Sequence, residues 1–302
     1  MMVHQKLFQR IFFCNLRTFS TTTNNSPGNV IIVNKMNTVM TIGINRPETC
    51  NALNYEAASR LSDAISQFEE DTSVAVGVIH GVAGNFCSGF DLKEMSNDPN
   101  LAEKLTGLRL TDRYVSKPLV AAVSGYAVGV GMDLALWCDL RVMEDKAIMG
   151  CFQRRLGIPQ SQSMLDRLKH MVGLSRSLDW VLTGRPITAE EAFSCGLVSR
   201  LVACGTGFGQ AYSAANAIAK FPQAALNTDR AALYLTCLSD QHIQAGLVSQ
   251  YREHHLKNSI QEAEEGAKKF VEGCGRHGKT TGLFTVENSL EITEESGRKS
   301  VL

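Results

Sequence analysis

The sequence predicts an α/β fold followed by a purely helical region, on three observations. Short Val- and Ile-rich runs alternate with segments whose apolar residues recur every three or four positions. Two such runs pass into glycine-bearing turns ahead of a helix, at Asn85-Phe-Cys-Ser-Gly-Phe-Asp-Leu-Lys93 and Gly125-Tyr-Ala-Val-Gly-Val-Gly-Met-Asp133. From about Gly173 onward the texture is helical.

In chain order, Asn29–Val33 and Thr38–Ile44 read as two strands joined by a turn over Asn34–Asn37 and ended by Asn45-Arg46-Pro47. Tyr55–Glu70 places Ala57, Ala58, Leu61, Ala64, Ile65 and Phe68 on one helical face. Val74–Ile79 and Leu119–Val123 are continuous apolar runs, the pattern of buried strands. Met132–Cys138 reads as a short apolar helix, and Arg141–Met143 and Ala147–Met149 as short strands. Ser175–Leu182, Thr188–Cys195, Gly209–Lys220, Gln223–Leu238, His242–Lys257 and Ile260–Glu272 read as helices, with Thr188-Ala-Glu-Glu191 as a capping box. After Arg276 the chain turns polar and loses periodicity, which predicts a disordered tail.

Lys+Arg and Asp+Glu both number 30, so the formal net charge is zero and a nucleic-acid surface is not expected. Nine cysteines without a C-x-x-C pair argue for free thiols in a reducing compartment, with neither a disulfide framework nor a zinc site. No segment approaches the about 18 apolar residues of a membrane span. The first 26 residues differ from the rest. Lys6, Arg10 and Arg17 lie opposite a face of Leu7, Phe8, Ile11, Phe12 and Leu16, and the first acid in the chain is Glu48. That is the composition of a mitochondrial transit peptide, with Arg17-Thr-Phe-Ser20-Thr-Thr-Thr as a processing site.

The two glycine turns carry the chemistry. Glycine lets a backbone turn tightly against a ligand, and a helix start presents free N–H groups. Two such starts facing each other make a two-donor pocket for a carbonyl oxygen that gains negative charge, with Asp133 at the mouth of the second.

With Asn45-Arg-Pro-Glu-Thr-Cys-Asn-Ala-Leu53, Phe86–Met95, Lys117–Asp139, Leu182–Ala192 and Gly196-Leu-Val-Ser199 in this order, the chain resembles the crotonase (enoyl-CoA hydratase/isomerase) family over roughly Asn29–Gly275. The resemblance implies an α/β crotonase-like spiral of β-β-α units followed by a C-terminal helical trimerisation region. The corresponding division is a transit peptide over 1–26, the spiral core over 27–200, the helical region over 201–275 and the tail over 276–302. It also implies an acyl-CoA substrate, with no cofactor beyond the coenzyme A of that substrate, no metal, and a homotrimer or dimer of trimers, while the transit-peptide composition implies a mitochondrial matrix location. The oxyanion donors would be the backbone N–H groups of Phe90 and Val130. Coenzyme A contacts would fall at Ala52, Leu53, Phe90, Asp91, Leu92 and Lys93.

In the hydratases of that family two glutamates hold the water that adds across the double bond. Here the first position is Asp133, whose reach is one methylene (about 1.5 Å) shorter. The second is Gln153, which can hold a water but cannot exchange protons near neutral pH. Val130 stands where the family has a glycine, and Gln160-Ser-Gln-Ser-Met164 where it has a glycine-rich loop. These departures set two expectations side by side. One is an acyl-CoA enzyme with Asp133 as its one working acid or base, and the other an acyl-CoA-binding paralogue or trimer partner without hydratase activity. Arg154 and Arg155 are candidates for coenzyme A phosphates or for structural pairs, and Asp139 for a capping or orienting role.

Overall fold

A computed structural model describes residues 29–98, 100–238 and 264–273. The expected presequence, the helix expected over 242–257 and the polar tail lie outside the described residues.

The chain opens with a hairpin, β1 (Ile31–Met36) and β2 (Val39–Ile44), turned at Asn37 with φ 57°. Helix α1 (Tyr55–Glu70) follows, and Asn54 caps it by accepting the Ala57 N–H at 2.9 Å. Strand β3 (Val76–Gly81) leads to two short helices, α2 (Leu92–Asn97) and α3 (Leu101–Gly107). Then come β4 (Leu119–Val123), β5 (Tyr126–Val128), α4 (Val130–Trp137), β6 (Leu140–Glu144) and β7 (Ile148–Gly150). A 3-10 turn over Phe152–Leu156 precedes α5 (Gln162–Val172) and α6 (Leu174–Thr183). The described chain ends with β8 (Ile187–Thr188), α7 (Ala189–Ser194), β9 (Arg200–Val202), α8 (Gly207–Ala219), α9 (Gln223–Leu238) and a last helical stretch over 264–271, α10.

Two sheets form. The larger runs β1-β2-β3-β4-β6-β9, antiparallel in the hairpin and parallel from β2 onward. The smaller runs β5-β7-β8, and isolated bridges Cys87↔Ala127 and Leu53↔Phe90 extend it past β5. Strand β4 shows why continuous apolar runs are needed here. Leu119, Ala121 and Val123 face the main core with Phe68, Phe86 and Met132. Val120 and Ala122 face a second core with Ala211 and Ala215 of α8. A strand covered on both faces has no place for polar alternation.

Helix α9 is fixed to this body by Asp139. Its Oδ2 accepts the Leu119 N–H at 2.7 Å, and its Oδ1 accepts Arg230 Nε at 2.6 Å and the Tyr234 hydroxyl at 2.7 Å. This is the orienting role anticipated for it. Thr188 caps α7 through the Glu191 N–H at 3.2 Å, but the Glu191 carboxylate turns to Arg185 and Trp180 rather than back to the cap. Half of the expected capping box therefore forms.

Cys87, Cys138 and Cys151 are buried, and burial pushes each thiol up to about 12. Thiolate is the reactive form. Peptide mapping after native-state alkylation at neutral pH should therefore find Cys50 and Cys204, both exposed, modified and these three untouched.

Candidate active site

The first functional turn is built from the loop after β2. Asn51, fully buried, accepts the Arg46 N–H at 2.8 Å and donates to the Val82 and Asn85 carbonyls at 2.9 and 2.6 Å. Arg46 in turn donates to the Ala52 carbonyl at 2.6 Å and to Asp91 Oδ2 at 2.9 Å, with both side chains of the ion pair 13% exposed. Asp91 also caps α2 through the Lys93 N–H at 3.1 Å. The Asn45-Arg-Pro signature thus splints the segment that leads into α2.

Strand pairing then aims the donors. Leu53 N–H donates to Gly89 O at 2.8 Å, and Asp91 N–H donates to Leu53 O at 2.9 Å. In a parallel pair the residue between those two partners turns its own N–H to the opposite side. Phe90 is that residue, so its N–H faces away from Leu53. On that opposite side lies β5, held by Cys87 N–H to Tyr126 O at 2.9 Å and Val128 N–H to Cys87 O at 3.0 Å. Beyond the Cys87↔Ala127 bridge the two segments stay close at their glycines, a Gly129 Cβ lying 3.6 Å from Gly89 Cα, and Phe90 and Val130 are the residues that follow those glycines. Among the described residues neither N–H has a hydrogen-bond partner. Val130 is the first residue of α4, where an N–H has no acceptor within the helix.

The glycines around this pair are fixed by geometry. Gly129 holds φ 60° and ψ −127°, a conformation closed to other residues. Gly131 brings α4 onto the first turn: a Cβ there would stand 2.1 Å from Cys87 O. Val130 itself has ordinary helical backbone and packs half-buried against the core, so the missing glycine strains nothing.

The two candidate acid–base residues are treated differently. The Gln153 amide reaches the second turn. Its Oε1 lies 2.4 Å from where a Gly129 Cβ would be, and that position is 3.6 Å from Gly89 Cα. This oxygen is buried and has no hydrogen-bond partner. Asp133, 3% exposed, is held by three side chains. Thr111 Oγ1 and Ser161 Oγ donate to its Oδ2 at 2.8 and 2.7 Å, and Arg167 Nη1 donates to its Oδ1 at 3.2 Å. Burial pushes the Asp133 carboxyl up, against the pull of Ser161, Thr111 and Arg167.

Thr111, Ser161 and Arg167 were not legible as site residues. Thr111 stands in an irregular stretch before β4, and the helix carrying Arg167 falls where a glycine loop was expected. The available signal was Ser161 three residues ahead of Met164, an N-cap; its Oγ accepts the Met164 N–H at 3.1 Å.

The other candidates divide sharply. Leu53 is fully buried and Ala52 nearly so, and their carbonyls are engaged by Asp91 N–H and Arg46. Asp91 is ion-paired, and Leu92 packs against the core. Lys93 is exposed at the start of α2, the cation of the set open to a ligand. Arg155 donates to Gly184 O at 2.7 Å and stacks over Phe152, while Arg154 is exposed. Among the described residues no cluster of three or more His, Cys, Asp or Glu could hold a metal, and no helix is long and apolar enough to cross a membrane.

Two N–H groups without a partner among the described residues, Phe90 beside a parallel bridge and Val130 at the head of a buried helix, thus lie in a layered α/β fold. Residues 34–277 match the family model Enoyl-CoA hydratase/isomerase, and the chain belongs to that family. It is 34% identical over 246 residues to the 2,3-dehydroadipyl-CoA hydratase of Escherichia coli (strain K12), covering 80% of this chain and 95% of the relative. It is 31% identical over 269 residues to the Dictyostelium discoideum protein named "Probable enoyl-CoA hydratase, mitochondrial", covering 85% and 90%. The crystal structure of carnitinyl-CoA hydratase from Mycobacterium avium superposes with a TM-score of 0.71 at 28% identity, over 80% of this chain and 95% of that one. The fold is the crotonase-like α/β fold that the sequence motifs implied.

Proposed function

We propose that this member of the enoyl-CoA hydratase/isomerase class binds an acyl-CoA thioester with its carbonyl oxygen between the Phe90 and Val130 N–H groups, and stabilises the enolate formed there. The observation that supports this reading is that the Phe90 and Val130 N–H groups, each following one of two glycines that lie close together, have no partner among the described residues. Fixed donors aimed at a developing oxyanion are worth about 3 kcal/mol each in the transition state. Asp133 serves as the single carboxylate that moves a proton at the acyl chain. A carboxylate whose pKa burial raises from its ordinary value moves toward the pH at which a base works best. Gln153 holds a water or the acyl group by hydrogen bonding and moves no proton. Lys93 is the candidate cation for the phosphates of coenzyme A.

The acid-free, cation-bearing first 26 residues support a mitochondrial matrix location, and we carry a homotrimer or dimer of trimers with this reading. Import into isolated mitochondria that is lost on deleting residues 1–26 tests the first; analytical ultracentrifugation tests the second.

The activity is tested by incubating the purified protein with crotonyl-CoA and longer enoyl-CoAs and reading products by mass spectrometry. Hydrated or isomerised thioester is expected. Thioester binding without turnover of any of them would instead establish the second reading, an acyl-CoA-binding paralogue. That reading draws on Gln153 at the second acid–base position and on the three donors already engaging Asp133.

A further inference from the structure

We propose that Thr111, Ser161 and Arg167 are positioning residues that leave Asp133 Oδ1 as the one oxygen able to take a proton, an inference that rests on Asp133 being the working carboxylate. An ionised carboxylate offers about four acceptor sites, two on each oxygen. Oδ2 accepts the Thr111 hydroxyl at 2.8 Å and the Ser161 hydroxyl at 2.7 Å, which fills both of its sites. Among the described residues Oδ1 accepts only Arg167 Nη1, at 3.2 Å, which leaves one of its sites without a partner there.

The clamp draws on separate elements, so it fixes direction as well as charge. Thr111 belongs to the stretch between α3 and β4, Ser161 caps α5, and Arg167 lies inside α5. The second arm of the Arg167 fork donates to the Thr111 carbonyl, so the guanidinium ties the Thr111 segment to α5 as it holds the carboxylate. A planar fork can make both bonds at once, which an ammonium cannot do in the same geometry. The Asp133 side chain is 4% exposed and that of Arg167 22%, so solvent competes weakly for these bonds. The charged groups acting on Asp133 are Arg167, from α5, and Asp112, from the stretch before β4. Asp112 is itself paired with Arg109 at 3.3 Å. Among the described residues no other carboxylate bonds to Thr111, Ser161 or Arg167.

Hydrogen bonds to the ionised form favour it, so removing a donor to Oδ2 raises the carboxyl pKa. The test uses the full chain with carboxyl-¹³C-labelled aspartate, with the Asp133 signal assigned by its loss in Asp133→Asn. Thr111→Val is expected to move the Asp133 titration midpoint up by about one pH unit. The acid limb of kcat/KM for the thioester should move with it, while the acyl-CoA Kd stays unchanged. Thr111→Ser should restore both, and Arg167→Lys should shift them in the same direction as Thr111→Val. If Thr111→Val does not fold, Ser161→Ala removes the other donor to the same oxygen. A midpoint that stays put in a folded variant overturns the clamp. A midpoint that moves in a protein without thioester turnover leaves the clamp standing and overturns Asp133 as the working base.

Discussion

Gly131→Ala is expected to destabilise the protein by about 3 kcal/mol, the upper range for overpacking a core, and to lower thioester turnover by about 10²–10³-fold. On helix propensity alone the change should stabilise, since alanine is the better helix former. Geometry reverses the sign. The new methyl would meet Cys87 O at 2.1 Å and Cys87 C and Cβ at 2.8 Å, all but the last of them backbone atoms that cannot rotate away. Cys87 O is also the acceptor of the Val128 N–H at 3.0 Å, the bond that registers β5 against the first turn. Relief of the clash must therefore move the head of α4, with the Val130 N–H, away from the turn that follows Cys87. Urea unfolding of both proteins gives the stability change, and turnover at matched folded fraction gives the catalytic one. A stabilised, active Gly131→Ala protein would refute the close approach of α4 to Cys87.

The second large effect is expected at Asp133. Asp133→Asn should lower turnover by about 10²–10⁴-fold, the usual contribution of a positioned proton-transfer group, with acyl-CoA affinity retained. The variant keeps the volume and one acceptor oxygen for Thr111, Ser161 or Arg167, but its amide cannot take a proton. Single-turnover measurement separates this from a binding loss. Unchanged turnover would remove Asp133 from the chemistry and leave the oxyanion pair as the whole of the catalytic apparatus.

The large features of this fold were legible because their causes are local. Tyr55–Glu70 is legible from its apolar stripe, and Leu119–Val123 from a run that only a doubly covered strand tolerates. The two glycine turns were legible for the same reason, since Gly89 and Gly129, both at positive φ, mark where the backbone must turn. Strand β9 is not legible in the sequence, because it is three residues long and draws its pairing from the distant β6. Helix α5 was missed for another reason. Its signal is short: a cap at Ser161 and an apolar face of Met164 and Leu168 behind it, in the segment where the family has a glycine-rich loop. With α5 went Arg167, and with Arg167 the environment of Asp133. The acid at position 133 was readable from the chain; what it touches was set by segments before and after it that sequence spacing does not connect.

The most direct test of the proposed site is the carbonyl stretch of a bound, non-reactive acyl-CoA carrying a ¹³C-labelled thioester carbonyl, read by isotope-edited difference infrared spectroscopy. Two N–H donors at Phe90 and Val130 should shift the stretch to lower frequency on binding, with the shift lost in Gly131→Ala. A bound thioester whose carbonyl vibrates as it does in water would contradict the oxyanion pocket.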